Sequence, residues 1–332
     1  MTQPTARAVH VDAPLTNISI AYMQSATDFV AGRVFPNLPV QKQSDLYYTF
    51  DRKFFNRTSA KKRAPNTEAA IIGMELGTAS YFADVWAAKA QLPDQVMSNM
   101  DAVLNLERAS VALVMMDLML RREKDWAANY FAPAVWATQY DGVASTPGTD
   151  DVIHWSDQTS GDPIGDIRTA KTDMKEATGF MPNTFVLSRR VFDALVDHPD
   201  IVDRIKYSGG VGNQNPAVTT ESALAMLFGI PRILVMDAIE NTAAEGDAEA
   251  SAFIGGKHAL LTYSAPSPGL MTPSAGYTFS WQGYLGQTNP FGIATKRRYR
   301  DELETTEIEG AMAFDHKLVA SDLGVFFNNI TA

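Results

Sequence analysis

The chain has 332 residues, 45% of them hydrophobic and 20% charged, with a formal charge of −10 and no cysteine. This composition suits an ordinary folded protein of about two domains, and it excludes disulfides, thiolate catalysis and cysteine-ligated zinc. The negative balance argues against a protein that grips nucleic acid through its phosphates, because such proteins cluster Lys and Arg.

Residues 1 to about 20 are polar, carry Pro4 and Pro14 and show no sustained period, so they read as an arm that lies along something else. The start, MTQPTARAVHVDAPLTN, lacks the basic head and apolar core of a secretory signal or transit peptide. A helical stretch around Tyr22 to Val30 leads into RVFPNLPV, where Pro36 and Pro39 force an extended path. Val34, Phe35, Leu38 and Val40 are its apolar anchors, and they need a receiving groove. Next comes SDLYYTFDRKFFNR, aromatic and alternating, then basic SAKKRAPNTEAA, then MELGTASYFADVWAAKAQL. The pattern predicts two long strands around a mobile tip that holds Lys61, Lys62 and Arg63. Too little chain lies nearby to cover Tyr47, Tyr48, Phe50, Phe54, Phe55, Tyr81, Phe82 and Trp86, so a neighbouring copy is expected to do so.

The run Asp101 to Phe131 is the longest segment free of Pro and Gly. It predicts one helix about 40 Å long, a spine rather than a core helix. Asp101 or Asn105 can cap it, Arg121, Arg122 and Lys124 load its end, and Pro133 stops it. Leu106, Ala109, Leu113, Met116, Leu120, Ala127 and Phe131 form one apolar row, with Ala112, Met115, Met119, Trp126 and Tyr130 beside it. Two rows predict burial on two sides.

YDGVASTPGTDD then reads as a linker between domains. A compact mixed α/β pattern follows. Asp162 caps a helix to about Ala177 with Gly179 past its end, PNTFVLS is a strand, and Ser188 caps SRRVFDALVDH. HPDIVDRIKY is a further helix, Thr219 or Thr220 caps ESALAMLF, and PRILVMDAI and SAFIGGKHALLTYS return as strands. From Tyr277 onward the chain is mostly strand-like, and no internal repeat is evident.

The motifs for chemistry are weak. The five histidines show no metal-ligand spacing. SGGVGNQNP lacks the GK[ST] of a phosphate loop, and Asp150, Asp151, Asp157 and Asp162 lack the alternation and closing Glu of a calcium loop. No GxSxG or HExxH occurs. No catalytic residue, cofactor or metal ligand is assigned, and the chain reads as no enzyme. KRRYR at 296 to 300 is the one dense basic cluster. A strand splits it over two faces, which favours a salt-bridged strand at a subunit contact over a nucleic-acid patch.

This order, with DFVAGRVFPNLPVQKQSDLYYTFDRKFFNR, PNTFVLSRRVFDALVDHPDIVDRIKY, LFGIPRILVMDAIENTAAEG and GKHALLTYSAPSPGLMTPSAGYTFSW, resembles the major capsid proteins of tailed bacteriophages. Their Hong Kong 97-like fold is shared with encapsulins. The resemblance implies an α+β subunit with an N-terminal arm at 1–40 and an extended β-hairpin loop at 41–92. It also implies a peripheral domain at 93–160 and 285–315, with its spine at about 101–131, and an α/β axial domain at 161–284 and 316–332. The implied function is self-assembly into the icosahedral head of a tailed phage, as hexamers and pentamers enclosing double-stranded DNA that is touched only weakly. Portal protein, and scaffolding or decoration proteins, are the implied further partners. The implied location is the virion, assembled in the host cytoplasm, with no membrane. Phe35, Tyr47, Phe50, Phe54, Lys61, Lys62, Arg63, Arg297, Arg298 and Arg300 are the expected assembly contacts. Lys61 or Lys62 stands where some relatives offer a cross-linking lysine, but no partner matches by motif, so no cross-link is carried over. The alternatives are an encapsulin-type shell and, from another class, an α/β enzyme with a site between the linker carboxylates and the glycine loop at 209 to 212.

Overall fold

The computed structural model describes residues 24–50, 58–73, 75–99, 105–208, 220–244, 246–269, 272–285 and 293–332. The chain enters as a strap. Ser25 and Asp28 form a reciprocal capping box around a 3-10 turn, Ala26–Asp28, and α1 (Ala31–Val34) follows. Of the helix expected at Tyr22 to Val30 the described residues show only the 3-10 turn, α1 beginning after Val30, and Tyr22 lies outside them. Pro36 and Pro39 then hold β1 (Asn37–Val40) extended.

The aromatic hairpin is β2 (Ser44–Phe50) against β3 (Leu76–Phe82), antiparallel from Ser44↔Phe82 to Phe50↔Leu76. It ends ten residues short of the predicted boundary at 92. Ala83 is fully buried and its N–H donates to the Gln43 carbonyl at 2.9 Å, and beyond it β4 (Asp84–Pro93) joins another sheet. Trp86 therefore sits in the body, under the Arg121 guanidinium at 3.9 Å, and not in the loop.

After α2 (Asp94–Ser98) comes the spine, α3 (Leu106–Tyr130), whose first turn Asn105 caps by accepting from the Arg108 N–H at 2.9 Å. Its buried stripe is Val114, Leu118, Arg122, Glu123, Trp126 and Ala127. This corrects the predicted rows, since Leu113 is 60% exposed and Val114 and Leu118 belonged to neither. The reason is Gly310. A Cβ there would stand 2.5 Å from Val114 Cγ1 and 3.0 Å from Leu118 Cδ1, so the helix meets the sheet where a side chain is missing.

The remaining elements are β5 (Thr138–Val143), β6 (Asp151–Ile153), α4 (Pro163–Thr178), β7 (Thr184–Ser188), α5 (Arg189–Val196), α6 (Pro199–Ser208), α7 (Glu221–Phe228), β8 (Arg232–Met236), β9 (Ile239–Asn241), β10 (Ser251–Phe253), β11 (Ala259–Thr262), β12 (Gly276–Trp281), α8 (Gln282–Leu285), β13 (Ile293–Arg300), β14 (Thr305–Leu318) and β15 (Gly324–Asn328). Local signals hold where caps decide. Asp162 accepts from the Gly165 N–H at 2.8 Å, Thr220 accepts from Ala223, and Gly179 takes φ 84° past the end of α4. Ser188 stands at the N-cap of α5 without a side-chain bond.

Two sheets organise the body. A six-stranded sheet runs β6-β5-β15-β11-β7-β8, and a five-stranded one runs β1-β12-β14-β13 with β4 also on β14. Two predicted boundaries move accordingly. The supposed linker is the β5–β6 connection inside the six-stranded sheet, and β12 belongs to the five-stranded sheet instead of the α/β layer. Strands β15, β11, β7 and β8 of the six-stranded sheet are buried on both faces and so are mostly apolar, whereas β5 and β6 at its other edge are only partly buried. Phe185, Leu187, Ile233, Leu261 and Phe327 pack with Ile167, Met174, Val191 and Leu195 of the helices. Val186, Leu234, Leu260 and Phe326 meet Val30, Val34 and Phe35 of the strap and Trp126 of the spine. The period of two thus sorts one sheet into two cores.

The receiving groove for Phe35 is in its own subunit. The ring is fully buried, 5.8 Å from Trp126 and 5.1 Å from Tyr130, over Gly276, whose absent Cβ would lie 2.5 Å from Phe35 Cζ. Beside it the Glu123 carboxylate, 1% exposed, accepts from the Val30 N–H at 3.0 Å and the Ala31 N–H at 2.8 Å. Burial pushes the Glu123 carboxyl up to about 7, against the opposing pull of those N–H groups and of Arg122. An acid whose folded pKa is raised contributes fully below the unfolded value and loses that contribution as pH rises through the folded one. Stability is therefore expected to fall between pH 4.5 and about 7 from this group. Denaturant midpoints for wild type and Glu123→Gln on both sides of that window check it: the variant should show a flatter slope.

Candidate assembly surface

The hairpin has two unlike faces, because residues directly opposite on paired strands share a side. On one side Tyr81 stacks on Phe279 of β12 with centroids 4.4 Å apart and planes 4° apart, and Tyr47 lies 5.3 Å from the same ring. On the other side Leu46, Tyr48, Leu76 and Phe82 are 64%, 63%, 54% and 53% exposed. Four large apolar side chains on one face of a two-stranded sheet are more than scattered surface residues require. Burial by the body, with a lesser contribution from Asp315, raises the Tyr47 hydroxyl pKa. Beyond the hairpin the tip at 58–73 has no regular structure, and Ile71 and Ile72 stand 92% and 72% exposed.

The expected contact residues fall into four groups. Phe35 is a core residue of its own subunit and is withdrawn as an assembly contact; the strap that carries it pairs in parallel with β12, Asn37↔Thr278 to Val40↔Trp281. Tyr47, half-buried on Phe279, faces inward, and its neighbour Tyr48 is the one presented to solvent. Phe50 ends β2 opposite Leu76, and Phe54 lies outside the described residues. Lys61, Lys62 and Arg63 are exposed on the tip, with the Arg63 guanidinium donating to the Thr67 carbonyl.

The basic strand is answered from within. Arg297 pairs with Glu107 of α3, Arg298 with Glu309 at 3.7 Å and Arg300 with Glu307 at 3.5 Å. Hydrogen bonds from Gln91 and then Lys89 hold the Glu307 carboxyl below the usual carboxylate range. The salt-bridged reading of KRRYR fits these intramolecular partners. The linker carboxylates likewise serve turns: Asp157 accepts from the Thr159 N–H and Asp151 from the Gly148 N–H, both at 2.9 Å. The glycine loop at 209 to 212 lies outside the described residues.

Sequence reasoning missed Asp315 and Phe279, which carry the hairpin root. They are opposed across β12 and β14, 36 positions apart in the chain, and nothing local marks either. Leu46 was legible in principle, since SDLYYTF alternates and Ser44, Leu46 and Tyr48 share one side.

The fold can be compared with known proteins. The family model for phage major capsid protein E matches residues 148–275. The major capsid protein of Pseudomonas phage JBD67 is 27% identical over 334 residues, covering 97% of each chain. A phage-related protein of Bordetella bronchiseptica RB50 superposes with TM-score 0.67 at 21% identity over 92% of this chain and 93% of its own. The capsid of cyanophage P-SCSP1u gives 0.61 at 13% identity over 98% and 95%. The chain has the tailed-phage capsid fold. Among the described residues no group of three or more His, Cys, Asp or Glu can hold a metal, and no helix is long and apolar enough to cross a membrane.

Proposed function

We propose that this chain is the major capsid protein of a tailed bacteriophage, which self-assembles as hexamers and pentamers into the icosahedral head around double-stranded DNA. The observation that carries the reading is the hairpin, whose outer apolar face and exposed tip are uncovered in a subunit whose strands β15, β11, β7 and β8 are buried on both faces. Such a surface gains by covering itself with another copy, and repetition makes weak contacts collectively strong. The strap, α3 and the five-stranded sheet would form the peripheral part and the six-stranded sheet the axial part. A net charge of −10 suits a container that must hold DNA without adhering to it. Portal, scaffolding and decoration proteins are its further partners, and the virion its location. The chain expressed alone under assembly conditions is expected to give closed shells by electron microscopy. Small monodisperse monomers would contradict the proposal.

A further inference from the structure

The hairpin is a separate two-stranded sheet joined to the body by two short connections, residues 41–43 between β1 and β2 and Ala83 between β3 and β4. Its direction in space therefore depends on few contacts. One is the Tyr81 stack on Phe279. Others lie along the backbone: Ala83 N–H to Gln43 O at 2.9 Å, Gln43 Nε2 to Ala83 O at 3.2 Å and Tyr81 hydroxyl to Lys42 O at 3.2 Å. All three of these tie the hairpin to its own root. A further bond reaches across to the body by another route. The Phe82 N–H, at the last residue of β3, donates to Asp315 Oδ2 at 2.8 Å, and that oxygen is 3.2 Å from Lys317 Nζ. Asp315 stands opposite Phe279 in the β12–β14 ladder, so ring and carboxylate share one face and form a two-point seat. A ring stack alone tolerates sliding and tilting, whereas a charge-assisted bond to a backbone amide has a preferred line.

We propose that Asp315 is a positioning residue that sets the inclination of the β2–β3 hairpin against the body, and with it the direction in which the loop reaches toward a second copy of the chain. The structural step stands by itself, and the consequence for assembly rests on the shell reading above. Because one angle is repeated at every equivalent contact, its spread becomes a spread in curvature.

The chain has no cysteine, so two introduced ones can be spin-labelled without background. The test places them at Thr78→Cys on the hairpin and Glu176→Cys on α4, and reads the distance distribution in the full-length soluble subunit. Asp315→Ala is expected to broaden and displace the distribution and to raise exchange of the Phe82 amide on the order of tenfold. Asp315→Asn, which keeps an acceptor oxygen, is expected to restore most of both, a rescue that general loosening would not show. If Asp315→Ala fails to fold, Asp315→Ser, polar but too short to reach the amide, reads the same distance. An unchanged distribution in the Ala or Ser variant overturns the proposal. Particles are measured separately: wild-type shells with a narrow diameter and variant shells with a wide one support the consequence, and equal diameters sink it. Absence of wild-type particles would count against the shell reading alone, because the distance measurement needs no assembly.

Discussion

A subunit lacking Ser59–Thr67 is expected to remain folded and soluble but to form closed shells at a yield reduced about tenfold or more. The segment contributes nothing to either core. Its hydrogen bonds among the described residues are its own, such as Thr67 N–H and Thr67 Oγ1 to the Ala64 carbonyl, and Lys61, Lys62 and Arg63 are exposed. Its removal should leave circular dichroism and the melting midpoint unchanged. In a closed symmetric array the same deletion recurs at every equivalent contact, so modest local losses become collective. Particle counts by electron microscopy beside melting curves separate the two effects. Either an unfolded monomer or normal shell yield would show that the tip is no intersubunit element.

Phe35→Ala is expected to act in the opposite sense, on the fold first. Truncating a fully buried aromatic costs about 3–5 kcal/mol, a large share of the stability of a typical domain. Here the loss should lie toward the upper end, because the ring is wedged between Trp126, Tyr130 and His316 with Gly276 beneath it, and rigid aromatic neighbours relax poorly into a cavity. Denaturant midpoints measure it. Tyr48→Ser is the matching control: on the exposed hairpin face it should shift stability by no more than about 0.5 kcal/mol while lowering shell yield. A Phe35→Ala subunit with wild-type stability that fails only in assembly would restore Phe35 as a contact residue and contradict its buried setting.

The contrast between these variants shows where sequence reading reached and where it stopped. Elements fixed by short-range chemistry were legible. Asp162, Pro163 and Gly179 bound α4 as a cap, a preset φ and a left-handed terminus require, Thr220 and Gly229 do the same for α7, and Pro36 and Pro39 extend the strap. The existence of a long spine followed from a run without Pro or Gly. The ordered resemblance to phage capsid proteins carried the fold class.

What only the tertiary structure decided is which partner each apolar face meets. Periodicity says that a helix has a buried face, but α3 turned Val114 and Leu118 inward because Gly310, almost 200 residues later, opens a place for them. The strand across 76–93 reads as continuous until Ala83 is buried and the chain passes from β2 to β14 as hairpin partner. The apparent linker YDGVASTPGTDD became the end of β5 and its connection to β6 within one sheet, because β15, at the far end of the chain, pairs in parallel with β5. Phe35 looked like an anchor for another molecule because its receptors, Trp126, Tyr130, His316 and Gly276, come from three distant elements. Caps and turns are paid in hydrogen bonds between residues three or four apart and so are written locally. Burial is settled by contacts whose sequence separation has no fixed value, and only the folded chain states it.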